Sequence, residues 1–238
     1  MEANHQTRWS RQNLLIDADD TLWENNIYFE HAIASFISFL EHQELNEDQV
    51  REVIYRVEHE NIKINGYGIA SFAKALVRTF EELSVEPITP ALHETIQGFA
   101  RAISEREIEQ IEDVESTLQD LHTRHRLLLV TKGNFEEQTA KVERSGLKKY
   151  FDAVEVVSEK DAMAYSHLAE KYKLENQSTW MIGNSPKSDI NPALEAGFHA
   201  VFVPHANTWK LEHCDLAEAT PPQVLLTAQS FNELLKWF

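Results

Sequence analysis

The sequence contains very little cysteine and few basic residues. Of its 238 residues one is cysteine, Cys214, so neither an internal disulfide nor a cysteine cluster for zinc or iron–sulfur is expected. The 22 Lys and Arg residues against 39 Asp and Glu give a formal net charge of −17. Because nucleic acids and anionic membranes attract proteins of the opposite charge, binding to either is disfavoured.

Long apolar runs are also missing. No run approaches the ~20 residues that span a bilayer, and the segment from Met1 to Gln12 is polar, unlike a secretory signal. We therefore expect a cytoplasmic protein. The hydrophobic fraction of 42% and the charged fraction of 26% are those of an ordinary globular protein, long enough for one large domain or two small ones.

Hydrophobic periodicity divides the chain, since no repeat, low-complexity tract or Gly/Ser linker marks a boundary. A short apolar strand, Asn13 to Ile16, runs into an acidic loop. From residue 25 to about 111, apolar residues recur at steps of three and four, which predicts four amphipathic helices. Asn46 and Gln49 predict a capping box for the second helix, and Thr89 with Pro90 predicts the start of the fourth.

Beyond residue 112 the pattern alternates between strand and helix. The predicted strands are Arg126 to Thr131, Ala153 to Val157, Thr179 to Gly183 and His199 to Val203. Such alternation predicts right-handed βαβ units and a mainly parallel sheet. The first strand finds partners only in this later part, so we predict an α/β core formed by residues 1–24 and 112–238, with residues 25–111 inserted as a helical bundle.

Polar side chains gather at the predicted carboxyl ends of these strands, where open α/β sheets place their functional residues. The set consists of Asp17, Asp19, Asp20 and Thr21, then Thr131 to Asn134, Ser158 and Lys160, and Gly183 to Asp189. Crowded carboxylates are stable mainly when a cation or a proton compensates them. Oxygens of Asp17 and Asp189, with one from Asn184 or a backbone carbonyl, suit Mg²⁺, which prefers a few oxygen ligands.

These residue types fit phosphoryl transfer. An oxygen of Asp17 attacks phosphorus and gives an aspartyl-phosphate, which water then hydrolyses. Lys160, the Thr131 hydroxyl and the amides that follow it, through Lys132 and Gly133, compensate the charge. Asp19 protonates the leaving oxygen and later deprotonates the attacking water.

Four motifs resemble those of the haloacid dehalogenase superfamily, in the same order over nearly the whole chain. Asp17 to Leu22 resembles the DxDxT nucleophile motif, Leu128 to Gly133 the second motif, Lys160 the third and Gly183 to Asp189 the fourth. The helical insertion is similar to the cap of phosphoglycolate-phosphatase-like members. The resemblance implies a Rossmann-like α/β core with an α-helical cap, and a Mg²⁺-dependent phosphatase acting on small phosphorylated metabolites.

By this resemblance each motif residue has an expected role. Asp17 is the nucleophile, Asp19 the general acid and base, and Thr131 and Lys160 bind phosphate. The metal set is Asp17, Asp19, Asn184 and Asp189, and Trp23 and Tyr67 are predicted to line a substrate pocket. One residue departs from the pattern, because the fourth motif usually begins Gly-Asp and this chain has Asn184. An amide oxygen still binds Mg²⁺ but brings one less negative charge, so we expect weaker metal binding with a larger share on Asp189.

Other functions stay open at this point. A phosphomutase or phosphotransferase would use the same Asp17 and Asp19 and return the phosphoryl group to a substrate. A non-catalytic phosphate-binding module fits the lost charge at Asn184. Haloacid dehalogenation needs neither Mg²⁺ nor a second aspartate, so Asp19 argues against it. The physiological substrate and the oligomeric state do not follow from the sequence.

Overall fold

The computed structural model describes residues 8–40 and 45–238, which form two compact units. One unit runs to Glu24 and resumes at Ile108–Phe238, and the other is Asn25–Glu107. The division falls four residues before the predicted boundary at 111, because residues 108–111 pair with the first unit. The Glu24 N–H donates to the Glu109 carbonyl at 2.9 Å, and the Ile111 N–H to the Leu22 carbonyl at 3.0 Å. Of the polar N-terminal segment, residues 1–7 lie outside the described residues.

The second unit consists of helices. They are α1 (Asn26–Phe39), α2 (Glu47–Asn65), α3 (Ile69–Leu83) and α4 (Pro90–Ser104). The predicted capping box of α2 is confirmed, since Asn46 accepts from the Gln49 N–H and Gln49 accepts from the Asn46 N–H, both at 3.0 Å. Thr89 caps α4 as predicted, accepting from the Leu92 N–H. Apolar side chains of all four helices form the core of this unit.

The first unit is built on a six-stranded parallel sheet with the strand order β3-β2-β1-β4-β5-β6. The strands are β1 (Asn13–Ile16), β2 (Arg126–Lys132), β3 (Ala153–Val157), β4 (Thr179–Gly183), β5 (His199–Phe202) and β6 (Leu225–Thr227). β1 lies between β2 and β4, with Leu15 opposite Leu128 on one side and Met181 on the other. The predicted pairing of the first strand with the later part of the chain is therefore confirmed. β6 was not predicted, because three residues are too short to show a period.

Helices cover both faces of the sheet. They are α5 (Val114–Leu121), α6 (Phe135–Ser145), α7 (Ala162–Tyr172) and α8 (Asn191–Glu195). Successive residues of β1 enter different apolar clusters, with Leu14 and Ile16 in one and Leu15 in the other. α6 ends at Ser145, and Gly146 directly after it has a φ of +70°, the left-handed conformation that glycine adopts without strain.

The strand order brings the carboxyl ends of β1, β2 and β4 together. β2 and β4 lie on opposite sides of β1, so the strand order reverses at β1, and in open α/β sheets the carboxyl end of such a strand is where ligands bind. The ladder between β1 and β4 extends one residue beyond β1, where the Asp17 N–H donates to the Ile182 carbonyl at 2.9 Å. Among the described helices, none has the length and apolarity needed to cross a membrane.

Candidate active site

Asp17 lies directly after β1 and is buried. Its Oδ1 accepts a hydrogen bond from the Lys160 ammonium, and its Oδ2 accepts one from the Thr21 hydroxyl at 2.9 Å. The Thr21 hydroxyl lies next to Asp17 because the chain turns sharply at Asp20, whose φ is +59°. Both oxygens of the Asp17 carboxylate are thus oriented by donors and shielded from bulk water.

Lys160 is shared between two buried carboxylates. Its Nζ donates to Asp17 and, at 2.8 Å, to Asp189 Oδ1, and its side chain is 3% exposed. Burial disfavours the ammonium, but the charges of Asp17 and Asp189 outweigh this and raise the pKa of Lys160. Burial, with the charge of Asp17, raises the pKa of Asp189 to about 7 against the opposing effect of Lys160. Two carboxylates facing one ammonium leave the group short of positive charge.

Asp189 is held in place by backbone geometry as well. Asp189 lies in a π-helical turn, Pro186–Ile190, that continues into α8. Its Oδ2 accepts a hydrogen bond from the N–H of Ser185, the residue before this turn, at 2.9 Å. A Cβ added to Gly183 would lie 2.2 Å from this oxygen. The carboxylate therefore occupies the space that any side chain at position 183 would need.

Asn184 faces the same place from the end of β4. Its Oδ1 lies 3.3 Å from the Thr21 hydroxyl, which also contacts Asp17, and its Nδ2 donates to Thr208 Oγ1 at 2.9 Å. Asp17, Asn184 and Asp189 thus bring carboxylate and amide oxygens to a group in which Lys160 is the one cation for two carboxylates. This set of donors fits the oxygen preference of Mg²⁺.

Asp19 makes a different set of contacts. Lys141 Nζ lies 2.7 Å from each of its oxygens, Gln138 Nε2 donates to it at 2.9 Å, and Trp23 Nε1 at 2.7 Å. Burial alone would raise the pKa of Asp19, but Lys141 and the other donors outweigh burial and lower it. Gln138 and Lys141 were not predicted. Their spacing of three puts them on one face of α6, but nothing in the sequence shows that this face meets Asp19.

Lys132, at the end of β2, belongs to a partly buried ion pair. Its Nζ donates to Glu212 Oε1 at 2.7 Å and to Ser188 Oγ at 2.9 Å, and Glu212 Oε2 accepts from Ser185 Oγ at 2.5 Å. Burial would raise the pKa of Glu212, but Lys132 and the serine hydroxyls outweigh burial and lower it. This pair ties the segment after β5 to β2. Glu212 was not predicted, because it lies 80 residues from its partner in a segment without periodicity.

The other predicted binding residues differ in their surroundings. Thr131 is buried within β2, next to the end of the strand. Gly133 adopts a φ of +148°, and its N–H donates to the Val157 carbonyl at 3.1 Å. Trp23 has no exposed surface, so it packs in the core and holds Asp19 instead of lining a pocket. Tyr67 lies in the helical unit, in the turn between α2 and α3, and its role stays a prediction.

A second group of ligand-type side chains lies after β1 and β5. The group consists of Asp20, Glu24 and His205, whose possible metal-ligand atoms, two carboxylate oxygens and a ring nitrogen, lie within 4.8 Å of one another. The His205 ring is already hydrogen-bonded inside the protein, since its Nε2 lies 3.2 Å from Glu24 Oε1 and its Nδ1 accepts from the Asn207 N–H. This cluster was not predicted as a metal site.

The chain is similar to several known hydrolases. The sequence model of the haloacid dehalogenase-like hydrolases matches residues 12–197. N-acylneuraminate-9-phosphatase of Rattus norvegicus is 33% identical over 94 residues, which is 37% of this chain and 38% of that protein. A haloacid dehalogenase-like hydrolase from Xanthomonas campestris shares the fold with a TM-score of 0.78 and 26% identity, covering 94% of this chain and 92% of the other. The structure of L-2-haloacid dehalogenase from Xanthobacter autotrophicus is also similar, with 15% identity and a TM-score of 0.64. The match covers 94% of this chain and 96% of the dehalogenase.

Proposed function

Because the chain belongs to the haloacid dehalogenase-like hydrolase family, we propose that it is a Mg²⁺-dependent phosphatase acting on small phosphorylated metabolites. The observation that carries this proposal is the Asp17 carboxylate, which is buried and oriented by Lys160 and Thr21. Asp189 and Asn184 surround the same place with further oxygens. A carboxylate held in this way is positioned to act as a nucleophile.

Asp17, Asn184 and Asp189 would hold Mg²⁺, which supplies positive charge next to the transferring phosphoryl group when bound. Asp19 is held by Lys141, Gln138 and Trp23, and its predicted role as a further metal ligand stays a prediction. In the first step an Asp17 oxygen forms a bond to phosphorus, and the bond from phosphorus to the leaving oxygen breaks. For this step Asp19 must first take up a proton from solvent, against the effect of Lys141, and it then gives that proton to the leaving oxygen. Lys160 neutralises charge on Asp17 before the attack and on the phosphoryl oxygens during it.

In the second step water attacks the phosphorus of the aspartyl-phosphate. Asp19 takes the proton of the water, and the bond from phosphorus to Asp17 breaks, which releases inorganic phosphate and restores the carboxylate. Lys141 favours the ionised form of Asp19, the form that this step requires. The two aspartates therefore have separate surroundings that match separate roles.

The substrate class is proposed from the site and the relatives together. Lys160 and a bound cation offer positive charge to a phosphate within a protein of net charge −17. The rat relative acts, by its name, on a 9-phosphate of an N-acylneuraminate, and its matched segment is 38% of its length. Phosphorylated sugar acids and sugars are therefore the first compounds to test.

The direct test is release of inorganic phosphate, measured with p-nitrophenyl phosphate, N-acylneuraminate 9-phosphate, phosphoglycolate and sugar phosphates, in Mg²⁺ and in EDTA. We expect Mg²⁺-dependent release, and a loss of about 10³-fold or more in kcat for Asp17→Asn. Asp215→Asn, an exposed carboxylate in the same unit, is the matched control and keeps full activity. Full activity of folded Asp17→Asn, or an inactive wild type across the panel, would refute the proposal.

The same assay separates the alternatives. Isomerisation of a sugar phosphate that needs a bisphosphate primer and releases no phosphate would indicate a mutase. Release of chloride from 2-chloropropionate without Mg²⁺ would indicate a dehalogenase. Absence of Mg²⁺ binding at millimolar concentrations, together with phosphate binding, would favour a non-catalytic module.

A further inference from the structure

We propose that Thr208 is a positioning residue that orients the Asn184 amide, so that its oxygen faces the metal site. This inference rests on the proposed function, because the metal is the Mg²⁺ of that site. Thr208 lies in the segment after β5, and within the described part of the chain its hydrogen bonds reach neither Asp17 nor Asp189. It acts through Asn184 alone.

The direction of the hydrogen bonds at Thr208 is determined by its neighbours. A threonine hydroxyl has one hydrogen to donate. Thr208 Oγ1 donates that hydrogen to the His205 carbonyl oxygen at 3.0 Å. Thr208 Oγ1 can then only accept further hydrogen bonds, and it accepts one from Asn184 Nδ2 at 2.9 Å.

An amide whose nitrogen is held in this way has its oxygen on the other side. Asn184 Oδ1 lies 3.3 Å from Thr21 Oγ1, and the same hydroxyl lies 2.9 Å from Asp17 Oδ2. If the amide turned by half a rotation, its oxygen would face the acceptor side of Thr208. Its NH₂ group would then point toward the Thr21 hydroxyl, and an NH₂ group cannot ligate a cation. Thr208 therefore disfavours the orientation that cannot bind metal.

This arrangement also explains why an amide is compatible with position 184. A carboxylate there has no hydrogen to give, so the Thr208 hydroxyl would have to leave the His205 carbonyl in order to donate. Asn184 is only 5% exposed, so water does not readily replace the lost bond. Asn184 and Thr208 are matched as donor and acceptor.

Thr208 is itself held firmly. Its N–H donates to the His205 carbonyl at 3.2 Å, and four residues later Glu212 is anchored by Lys132 and Ser185. The Glu212 N–H also donates to the Trp209 carbonyl at 2.9 Å. Hydrogen bonds at both ends of the segment 205–212 therefore hold the Thr208 hydroxyl in position, as a residue that orients a metal ligand requires.

The test is titration calorimetry of Mg²⁺ into the metal-free protein. Thr208→Val keeps the shape and removes the hydroxyl, and we expect it to weaken the Kd for Mg²⁺ about tenfold, as is usual when a residue that orients a metal ligand is removed. Thr208→Ser keeps the hydroxyl and is expected to bind within about twofold of the wild type. Thr123→Val is the matched control and is expected to leave the Kd unchanged. Thr123 also donates its hydroxyl to a backbone carbonyl, that of Asp120, but it lies just before β2, at the amino-terminal ends of the strands.

A double-mutant cycle shows whether Thr208 acts through the amide. In the Asn184→Ala background, where no amide is left to orient, Thr208→Val is expected to change the Kd by less than about twofold. An equal effect in both backgrounds would overturn the inference, as would an unchanged Kd in the single variant. Thr208→Ala serves in the same cycle if Thr208→Val does not fold. If the wild type binds no Mg²⁺, the proposed metal site and this inference fail together.

Discussion

Replacing Gly183 with alanine is expected to displace Asp189 and destabilise the α/β unit. A Cβ at position 183 would lie 2.2 Å from Asp189 Oδ2, 2.5 Å from its Cγ and 2.9 Å from its Cβ, where 3.4–4 Å is ordinary contact. Asp189 has little room to retreat, because it is 1% exposed and is held by Lys160 at 2.8 Å and by the Ser185 N–H at 2.9 Å.

The size of the effect follows from these contacts. Overpacking a close-packed interior costs about 1–3 kcal/mol. Moving the carboxylate also breaks at least one charge-assisted hydrogen bond, worth roughly 1.5–3 kcal/mol. We therefore expect Gly183→Ala to lower the free energy of unfolding by about 3–5 kcal/mol, or Tm by roughly 10 °C for a chain of this length.

Urea denaturation and thermal unfolding of the metal-free protein measure this change. Gly98→Ala is the matched control, since a Cβ at Gly98 meets nothing within 4 Å. Gly98 lies inside α4, so alanine there is expected to stabilise the helix by about 0.5–1 kcal/mol. A Gly183→Ala protein as stable as the wild type to within about 0.5 kcal/mol would refute the packing argument.

Three further predictions concern the charged residues. Lys160→Met leaves Asp17 and Asp189 buried without their cation, and is expected to cost about 3–5 kcal/mol of unfolding free energy at pH 8 in EDTA; a loss below about 1 kcal/mol in urea denaturation would contradict this. Because the pKa of Asp189 is raised from 3.8 to about 7, its contribution to stability is present below pH 3.8 and is lost as the pH rises through 7. The wild type should therefore lose stability relative to Asp189→Asn as the pH rises from about 4 to about 7, and parallel curves would show that Asp189 titrates normally. Lys141→Met removes the ion pair that favours ionised Asp19, so it should slow hydrolysis of the aspartyl-phosphate, a step common to all substrates, and lower kcat about 10–100-fold for p-nitrophenyl phosphate as well as for alkyl phosphates; an unchanged kcat would exclude a role through Asp19.

Part of the candidate site was predictable because its residues follow strands. Asp17 comes directly after an apolar run, and parallel strands bring their carboxyl ends to one edge of a sheet. Lys160 and Asp189 follow later strands in the same way, and the structure joins both of them to one ion-paired group with Asp17. Placement at a strand end was enough to predict that these side chains meet.

Side-chain direction could not be predicted in the same way. Lys132 also stands at a strand end, yet its amine turns to Glu212 and Ser188. Trp23 follows the loop that begins at Asp17, where a pocket residue was predicted, yet it is buried in the core and donates to Asp19. In both cases a partner distant in sequence decides where the side chain points.

The sequence by itself determined the local features of this protein. The helices and their caps at Asn46 and Thr89, the longer strands and the order of the motifs depend on residues a few positions apart, so periodicity and capping patterns reveal them. Only the tertiary structure decided the contacts that tune the site, such as Lys141 on Asp19, 122 residues apart, and Thr208 on Asn184, 24 apart. Such contacts depend on how helices and loops pack against the finished sheet, and no local pattern encodes that packing.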